Sequence, residues 1–209
     1  YGVLKRGQEK DLINIESINL RDFSDKNGYV DDKPYGGGAG MVLQAQPLID
    51  ATRYAKSKIK NSKCIYLSPK GKKVDQELIT DTANNDNLII IAGRYEGVDQ
   101  RFIDLEIDEE WSIGDYILSG GEVAACVLID AIARMIPGVL GHEDSNKDES
   151  FSNGYLEYPH YTRPEIVENI SAPDVLLSGN HEEIRKWREK QALLVTNDKR
   201  SDLIKKKLS

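Results

Sequence analysis

Glu109-Glu110-Trp111-Ser112-Ile113-Gly114-Asp115-Tyr116-Ile117-Leu118-Ser119-Gly120-Gly121-Glu122 sets bare backbone between a short strand-like stretch and a long apolar helix that begins near Glu122. Gly114, Gly120 and Gly121 bracket Tyr116-Ile117-Leu118, so the chain turns tightly and its main chain stays uncovered. Glycine loses more conformational entropy on folding than any other residue, and three within eight positions of an apolar region need a reason. A second such loop, Gly93-Arg94-Tyr95-Glu96-Gly97, follows the apolar run Leu88-Ile89-Ile90-Ile91-Ala92. Two bare loops at two strand ends read as a pocket built from backbone.

The elements around these loops alternate. From Pro47 to about Lys60, apolar residues recur at helical spacing. Cys64-Ile65-Tyr66-Leu67 is a continuous apolar run, expected as a strand buried on both faces, and Ser68-Pro69-Lys70-Gly71-Lys72 reads as the turn that ends it. A helix is expected over Gln76–Ala83, a strand over Leu88–Ala92, a short helix around Val98–Ile103 and another strand at Leu105-Glu106-Ile107. The helix from Glu122 to Met135 stops before Pro137. Strands alternating with helices predict an α/β domain with a parallel sheet. The three loops, Leu67 to Lys73, Gly93 to Gly97 and Ile113 to Gly121, lie at C-terminal strand ends, where open α/β sheets place ligands. The dinucleotide fingerprint of glycines at first, third and sixth positions is absent, which disfavours a nicotinamide-linked oxidoreductase.

Composition bounds the reading. The 209 residues suit one compact domain plus a smaller one. No apolar run nears the roughly 18 residues that span a bilayer, and the residues given show no signal-peptide pattern. Cys64 and Cys126, each among apolar neighbours, are expected as buried reduced thiols of a cytoplasmic protein. His142, His160 and His181 have no metal-ligand spacing, so no metal site is expected. The net charge of −7 argues against indiscriminate nucleic-acid binding. The C-terminal part is nevertheless locally basic, with Arg185, Lys186, Arg188, Lys190, Lys199, Arg200, Lys205, Lys206 and Lys207. Composition leaves both a phosphate-bearing partner and a solvated helix face open there.

Beyond Gly141 the character changes. Residues 142–157 are polar and charged, expected as a flexible linker or lid, and two prolines stiffen Tyr158-Pro159-His160-Tyr161-Thr162-Arg163-Pro164. Asn180 with Glu183 reads as a helix cap, opening a helix through about Leu194 with Ile184, Trp187 and Leu194 as its apolar side. Asn197-Asp198 is expected to break it before a last short helix that Ser201 caps. A small helical domain over 158–209 follows from this.

Taken together, these segments resemble the bacterial tRNA (guanine-N(1))-methyltransferases of the TrmD family over nearly the whole chain. The resemblance rests on VDDKPYGGGAGM (Val30–Met41), YLSPKGKK (Tyr66–Lys73), AGRYEGVDQR (Ala92–Arg101), DEEWSIGDYILSGGE (Asp108–Glu122), IPGVLGHE (Ile136–Glu143), PHYTRPE (Pro159–Glu165) and LLSGNHEEIRKWR (Leu176–Arg188). Any one is weak; seven in the same order are specific.

The resemblance implies a SPOUT-type α/β fold over residues 1–141 with a trefoil knot near its C-terminal end, an exception to the rule that chains do not thread loops. It implies a homodimer with active sites at the subunit interface. The reaction would carry a methyl group from S-adenosyl-L-methionine to the guanine immediately 3′ of the anticodon of a tRNA. Mg2+ assistance is compatible with it, with no dedicated protein site readable. The cofactor would be lined by Tyr66, Leu67, Ser68 and Pro69, by Gly93, Tyr95 and Gly97, and by Ser112, Ile113, Gly114, Asp115, Tyr116, Ile117, Leu118 and Gly120. Main-chain groups of Ile113, Gly114, Tyr116 and Leu118 would hold the adenine. Tyr35, Gly36, Glu96 and Ser145 would border the target base, and basic residues of the C-terminal helices would grip tRNA phosphates.

Guanine N1 carries a proton near neutral pH and must lose it as it attacks the methyl. A carboxylate within hydrogen-bond reach serves as general base, and a guanidinium stabilises the charge that grows on the neighbouring oxygen. The family's arginine at the end of the post-knot helix falls on Arg134. Its linker aspartate falls on Glu149, one methylene longer, with Asp148 beside it as the alternative base. Because of that change, a non-catalytic RNA-binding scaffold of the same fold is the second reading. Family members also carry a preceding stretch with a first sheet strand, whereas this sequence opens at Tyr1-Gly2-Val3, as a trimmed chain would.

Overall fold

The computed structural model describes residues 2–25, 27–85, 87–140 and 149–208, the side chains of 85 and 205–208 excepted. The chain divides into two compact units, Tyr1–Gly141 and His142–Ser209. The first holds α1 (Val3–Glu9), a 3-10 turn (Leu20–Phe23), β1 (Asp31–Asp32), β2 (Val42–Leu43), α2 (Ala45–Lys58), β3 (Ser62–Lys73) and α3 (Gln76–Asn85). It continues with β4 (Asn87–Ala92), α4 (Gln100–Glu106), β5 (Glu109–Ser112) and α5 (Glu122–Met135). β1 and β2 pair antiparallel, and the main sheet is parallel in the order β4-β3-β5.

Alternation along β3 sorts its side chains to two cores. Ile65 and Leu67 pack with Trp111, with Ile79 of α3 and with Ala124 and Leu128 of α5. Cys64 goes to the other face, against Ala55 of α2 and Ile89 of β4. Leu48 and Ile49 of α2 and Phe102 of α4 close a further cluster with Val30 and Leu43. The sheet is therefore covered on both faces, which is why its strands read as unbroken apolar runs. Fully burying a side chain such as Phe102 contributes about 1.5–3 kcal/mol.

Several expectations need correction. Leu105 and Glu106 belong to α4, not to a strand; Asp99 caps that helix by accepting the Arg101 N–H, and Glu106 turns inward to α2. The strand comes later, at Glu109–Ser112, because Trp111 must enter the core. Pro69-Lys70-Gly71 do not end β3. Its pairing with β5 breaks after Leu67 and resumes at Lys72, so Trp111 registers with both Leu67 and Lys72. Cys126 lies on the exposed face of α5, whereas Cys64 is buried. Burial, foremost, pushes the Cys64 thiol up to about 12, so it stays an unreactive thiol at neutral pH.

In the second unit a segment from Glu149 onward docks on its own helix, α7 (His181–Lys199). Leu156 N–H donates to Thr196 Oγ1 at 2.8 Å, and the Arg188 and Arg200 guanidinium groups lie over the Tyr158 and Phe151 rings. Between segment and helix come β6 (Ile166–Val167), β7 (Ile170–Ser171) and α6 (Asp174–Leu177); α8 (Ser201–Leu208) ends the chain's elements. The β6–β7 hairpin, absent from the sequence reading, turns at Glu168-Asn169, both at positive φ as a tight hairpin requires. Asn180 accepts the Glu183 N–H at 3.3 Å, as its cap position predicts. The helix then runs through Asn197-Asp198 to Lys199, since Thr196 is buried and anchors its last turn. Leu194 is exposed, and Trp187 rather than Leu194 packs toward Tyr161.

Two expectations about stability follow. A Cβ on Gly71 would fall inside 3 Å of the Glu110 and Trp111 backbone, which cannot yield as a side chain can. Gly71→Ala should lower unfolding stability by about 1–3 kcal/mol in urea titration, the usual range for overpacking; an unchanged midpoint would contradict this packing. Burial works against the Glu106 carboxylate, but hydrogen bonds from Lys56 Nζ at 2.9 Å and Arg53 Nε at 2.7 Å outweigh it and hold its pKa below the ordinary value. A depressed folded-state pKa contributes stability above the unfolded value that is lost as pH falls through the folded one. Glu106→Gln should cost about 1–3 kcal/mol at pH 7, and the gap to the parent should close below roughly pH 4.

Candidate functional site

Three loops converge where the parallel strands end. The β3 stretch at Ser68–Lys70, the loop after β4 and the loop between β5 and α5 enclose a cavity of about 550 Å³. That is ample for a nucleoside-sized ligand. Gly121 is required by close packing: a Cβ there would stand 2.9 Å from Ala92 Cα and Gly93 N. At Gly97, φ of +130° is a conformation that L side chains rarely adopt.

Main-chain bonds fix these loops to one another. Gly121 N–H donates to Gly93 O at 2.7 Å, and Arg94 bridges to Gly120. Leu43 N–H donates to Gly97 O at 3.0 Å and Glu96 N–H to Met41 O at 3.0 Å, tying the second loop to the β2 region. Within the third loop, the Ser112 hydroxyl donates to Gly114 O at 3.1 Å, and Tyr116 N–H donates to the same carbonyl at 3.0 Å. An Arg94–Glu122 ion pair closes the contact between the second loop and the start of α5. That hydrogen bond from Arg94 holds the Glu122 carboxyl below its ordinary pKa and raises that of Arg94. Across the sheet, Tyr66 lies opposite Glu110, and burial first, then the Glu110 charge, raises the pKa of its hydroxyl.

Most of the expected cofactor residues meet on this cavity. Tyr66, Leu67, Ser68 and Pro69 line it from β3; Gly93, Tyr95 and Gly97 line it from the second loop. Ser112, Ile113, Gly114, Tyr116, Ile117, Leu118 and Gly120 line it from the third. Asp115 does not; its side chain is 86% exposed and pairs with Lys73 at 3.3 Å. Of the expected base-bordering residues, Glu96 is on the lining and its side chain packs against Gly40, at the end of the Pro34–Gly40 loop. Tyr35, with Gly36 beside it, is off the lining and 99% exposed. Arg134 ends α5 away from the lining, half-buried, and Glu149 opens the docked segment of the second unit. Ser145 and Asp148 lie outside the described residues.

Arg94, Glu110 and Gly121, present in the segments singled out from sequence but given no individual role there, also line the cavity. Glu110 carried one usable signal: an acidic residue inside a strand whose neighbour Trp111 is wholly buried. Among the described residues no group of three or more His, Cys, Asp and Glu could hold a metal ion, so nothing in them supports a Mg2+ site. No helix of the described residues is long and apolar enough to cross a membrane.

The family model described as tRNA (Guanine-1)-methyltransferase TrmD matches residues 1–206. A tRNA (guanine-N(1)-)-methyltransferase of Buchnera aphidicola subsp. Schizaphis graminum is 53% identical over 209 residues, covering 100% of this chain and 80% of that protein. The Salmonella newport protein of the same name is 56% identical over 206 residues, 98% of this chain and 81% of its own length. A family match over nearly the full length, with the glycine loops assembled on one cavity, places this chain in the TrmD family of tRNA (guanine-N(1))-methyltransferases.

Proposed function

We propose that this chain methylates N1 of the guanine immediately 3′ of the anticodon in tRNA, using S-adenosyl-L-methionine as donor. The cavity at the strand ends carries this reading: three glycine-bearing loops line it with the residues that the family motifs assign to the donor. Gly93 keeps that wall open, since a Cβ there would stand 3.0 Å from the Tyr66 ring. Main-chain groups of Ile113, Gly114, Tyr116 and Leu118 would hold the adenine, with Tyr66–Pro69 and Gly93 along the rest of the donor. S-adenosyl-L-methionine supplies an electrophilic methyl on a positively charged sulfur. The protein's own task is then to place guanine N1, remove its proton and steady the charge on the neighbouring oxygen. Glu149 would accept the proton, with Asp148 as the alternative, and the Arg134 guanidinium would face the oxygen. Tyr35, Gly36, Glu96 and Ser145 would border the base.

The same reading includes a homodimer. Val123 and Val127, one turn apart on α5, are 61% and 50% exposed, apolar side chains that a second copy would cover. Residues 1–141 would form a SPOUT-type domain with a trefoil knot. Supporting it, Trp111 registers with two separate stretches of β3 and Gly121 packs on the Ala92–Gly93 backbone. Residues 142–157 would act as linker and 158–209 as a tRNA-binding domain, with Arg188 and Lys190 of α7 among its phosphate contacts. The setting would be the cytoplasm, where tRNA is processed.

Single-turnover methylation of a tRNA transcript with guanine after the anticodon tests the whole reading. Product at N1 is expected; tight tRNA binding with no product would instead favour the scaffold. Arg134→Ala should leave donor affinity nearly intact and slow transfer by roughly 10²-fold or more. Glu149→Gln should slow it by roughly 10²-fold or more and remove the rise of rate with pH, since the amide cannot take a proton. Asp148→Asn being inactive with Glu149→Gln normal would move the base by one residue. Mixing Arg134→Ala with Glu149→Gln chains should restore part of the activity, whereas a fully active monomer in sedimentation would remove the shared site.

A further inference from the structure

Glu110 Oε2 is buried and has no hydrogen-bond partner among the described residues. It belongs to a residue on the wall of the cavity, opposite Tyr66 in the β3–β5 register, and no glutamate at this position entered the proposed chemistry. Glu110 as a residue is half-buried, and its Oε2 is the part withdrawn from water, where an opposite charge would be favourable. None of the other charged groups on the cavity wall hydrogen-bonds to this oxygen. Arg94 is held by Glu122, Lys70 is exposed to solvent and Glu96 adds negative charge. With Arg94 paired to Glu122, the wall carries Lys70 against Glu96 and Glu110, so a cation entering the cavity meets an excess of acidic groups.

We propose that Glu110 is a specificity-determining residue whose charge favours a positively charged ligand in this cavity over a neutral one of the same shape. The assignment rests on the donor reading above. S-adenosyl-L-methionine carries a sulfonium, whereas its demethylated product, S-adenosyl-L-homocysteine, has a neutral thioether and is otherwise alike. Their shared ammonium and carboxylate cancel in a comparison. Sinefungin, with a protonated amine near the sulfonium position, is a second charged probe. Action through space is sufficient: at an effective dielectric of about 20, unit charges several ångströms apart still interact strongly enough to change affinity about tenfold. The device would discharge itself on turnover, because the cation disappears when the methyl leaves.

The test is calorimetric titration of the full chain, as its native assembly, with the three ligands. Glu110→Gln keeps the side chain's shape and removes its charge. It should weaken S-adenosyl-L-methionine and sinefungin about tenfold while S-adenosyl-L-homocysteine changes less than twofold. Glu110→Asp keeps the charge and should retain the parent's ratio of charged to neutral affinity. Equal losses for all three ligands in Glu110→Gln, as a merely structural role or misfolding would give, overturn the proposal; so does an unchanged ratio. A parent chain that binds none of the three overturns the donor reading itself, and this assignment with it.

Discussion

Backbone lies directly on backbone at two glycines, and the first unit is organised around those contacts. At Gly71 the second stretch of β3 passes so close to Glu110 and Trp111 that no Cβ fits between them. At Gly121 the start of α5 sits on Ala92 and Gly93 with the same lack of room. Interiors tolerate little excess volume, so these approaches set where β5 and the two later loops must run. The cavity is what remains between them. Glycine keeps side chains out of the two places where these segments touch.

Rigid loops of this kind suit recognition by fixed donors and acceptors. The Gly121–Gly93 hydrogen bond, the Arg94–Glu122 ion pair and the bonds of Gly97 and Glu96 to the β2 region order the cavity before any ligand arrives. An exposed ion pair by itself contributes little to stability. Beside a main-chain bond that already joins the same loops, its effect is to limit their relative motion. Ordering done during folding need not be repeated on binding, which favours affinity.

Charge is distributed differently from packing. Glu106 is buried with two cationic partners and serves the α2–α4 contact. Glu110 is nearby in sequence, and its buried Oε2 has no hydrogen-bond partner among the described residues. One short segment thus holds an acid bonded to two cations and an acid with an unbonded oxygen on the cavity wall, the contrast on which the proposed role of Glu110 rests. In the second unit, cations sit over aromatic rings: Arg188 on Tyr158 and Arg200 on Phe151. These contacts hold the segment that begins at Glu149 against α7 by its aromatic side chains, in a stretch whose composition alone reads as unanchored.

Local periodicity was enough to mark the strand cores Cys64–Leu67 and Leu88–Ala92 and to place α5 at Glu122–Met135, because burial on both faces leaves uninterrupted apolar runs. The glycine loops were legible for a related reason, since glycines close together in an apolar region have few uses. The family motifs, present in order along the chain, supplied the reaction and the donor. Failures occurred where a residue's local preference lost to a distant partner. Leu105 and Glu106 looked like strand, yet Glu106 is drawn to Arg53 and Lys56 of α2. Pro69 and Gly71 looked like a chain end, yet the strand resumes because β5 accepts pairing beyond them. Asn197-Asp198 looked like a helix stop, yet buried Thr196 carries the helix through. That Glu110 would keep an unpartnered oxygen could not be read from its neighbours in sequence. Whether a buried charge is compensated depends on groups brought near it only by folding, and those contacts are settled by tertiary packing alone.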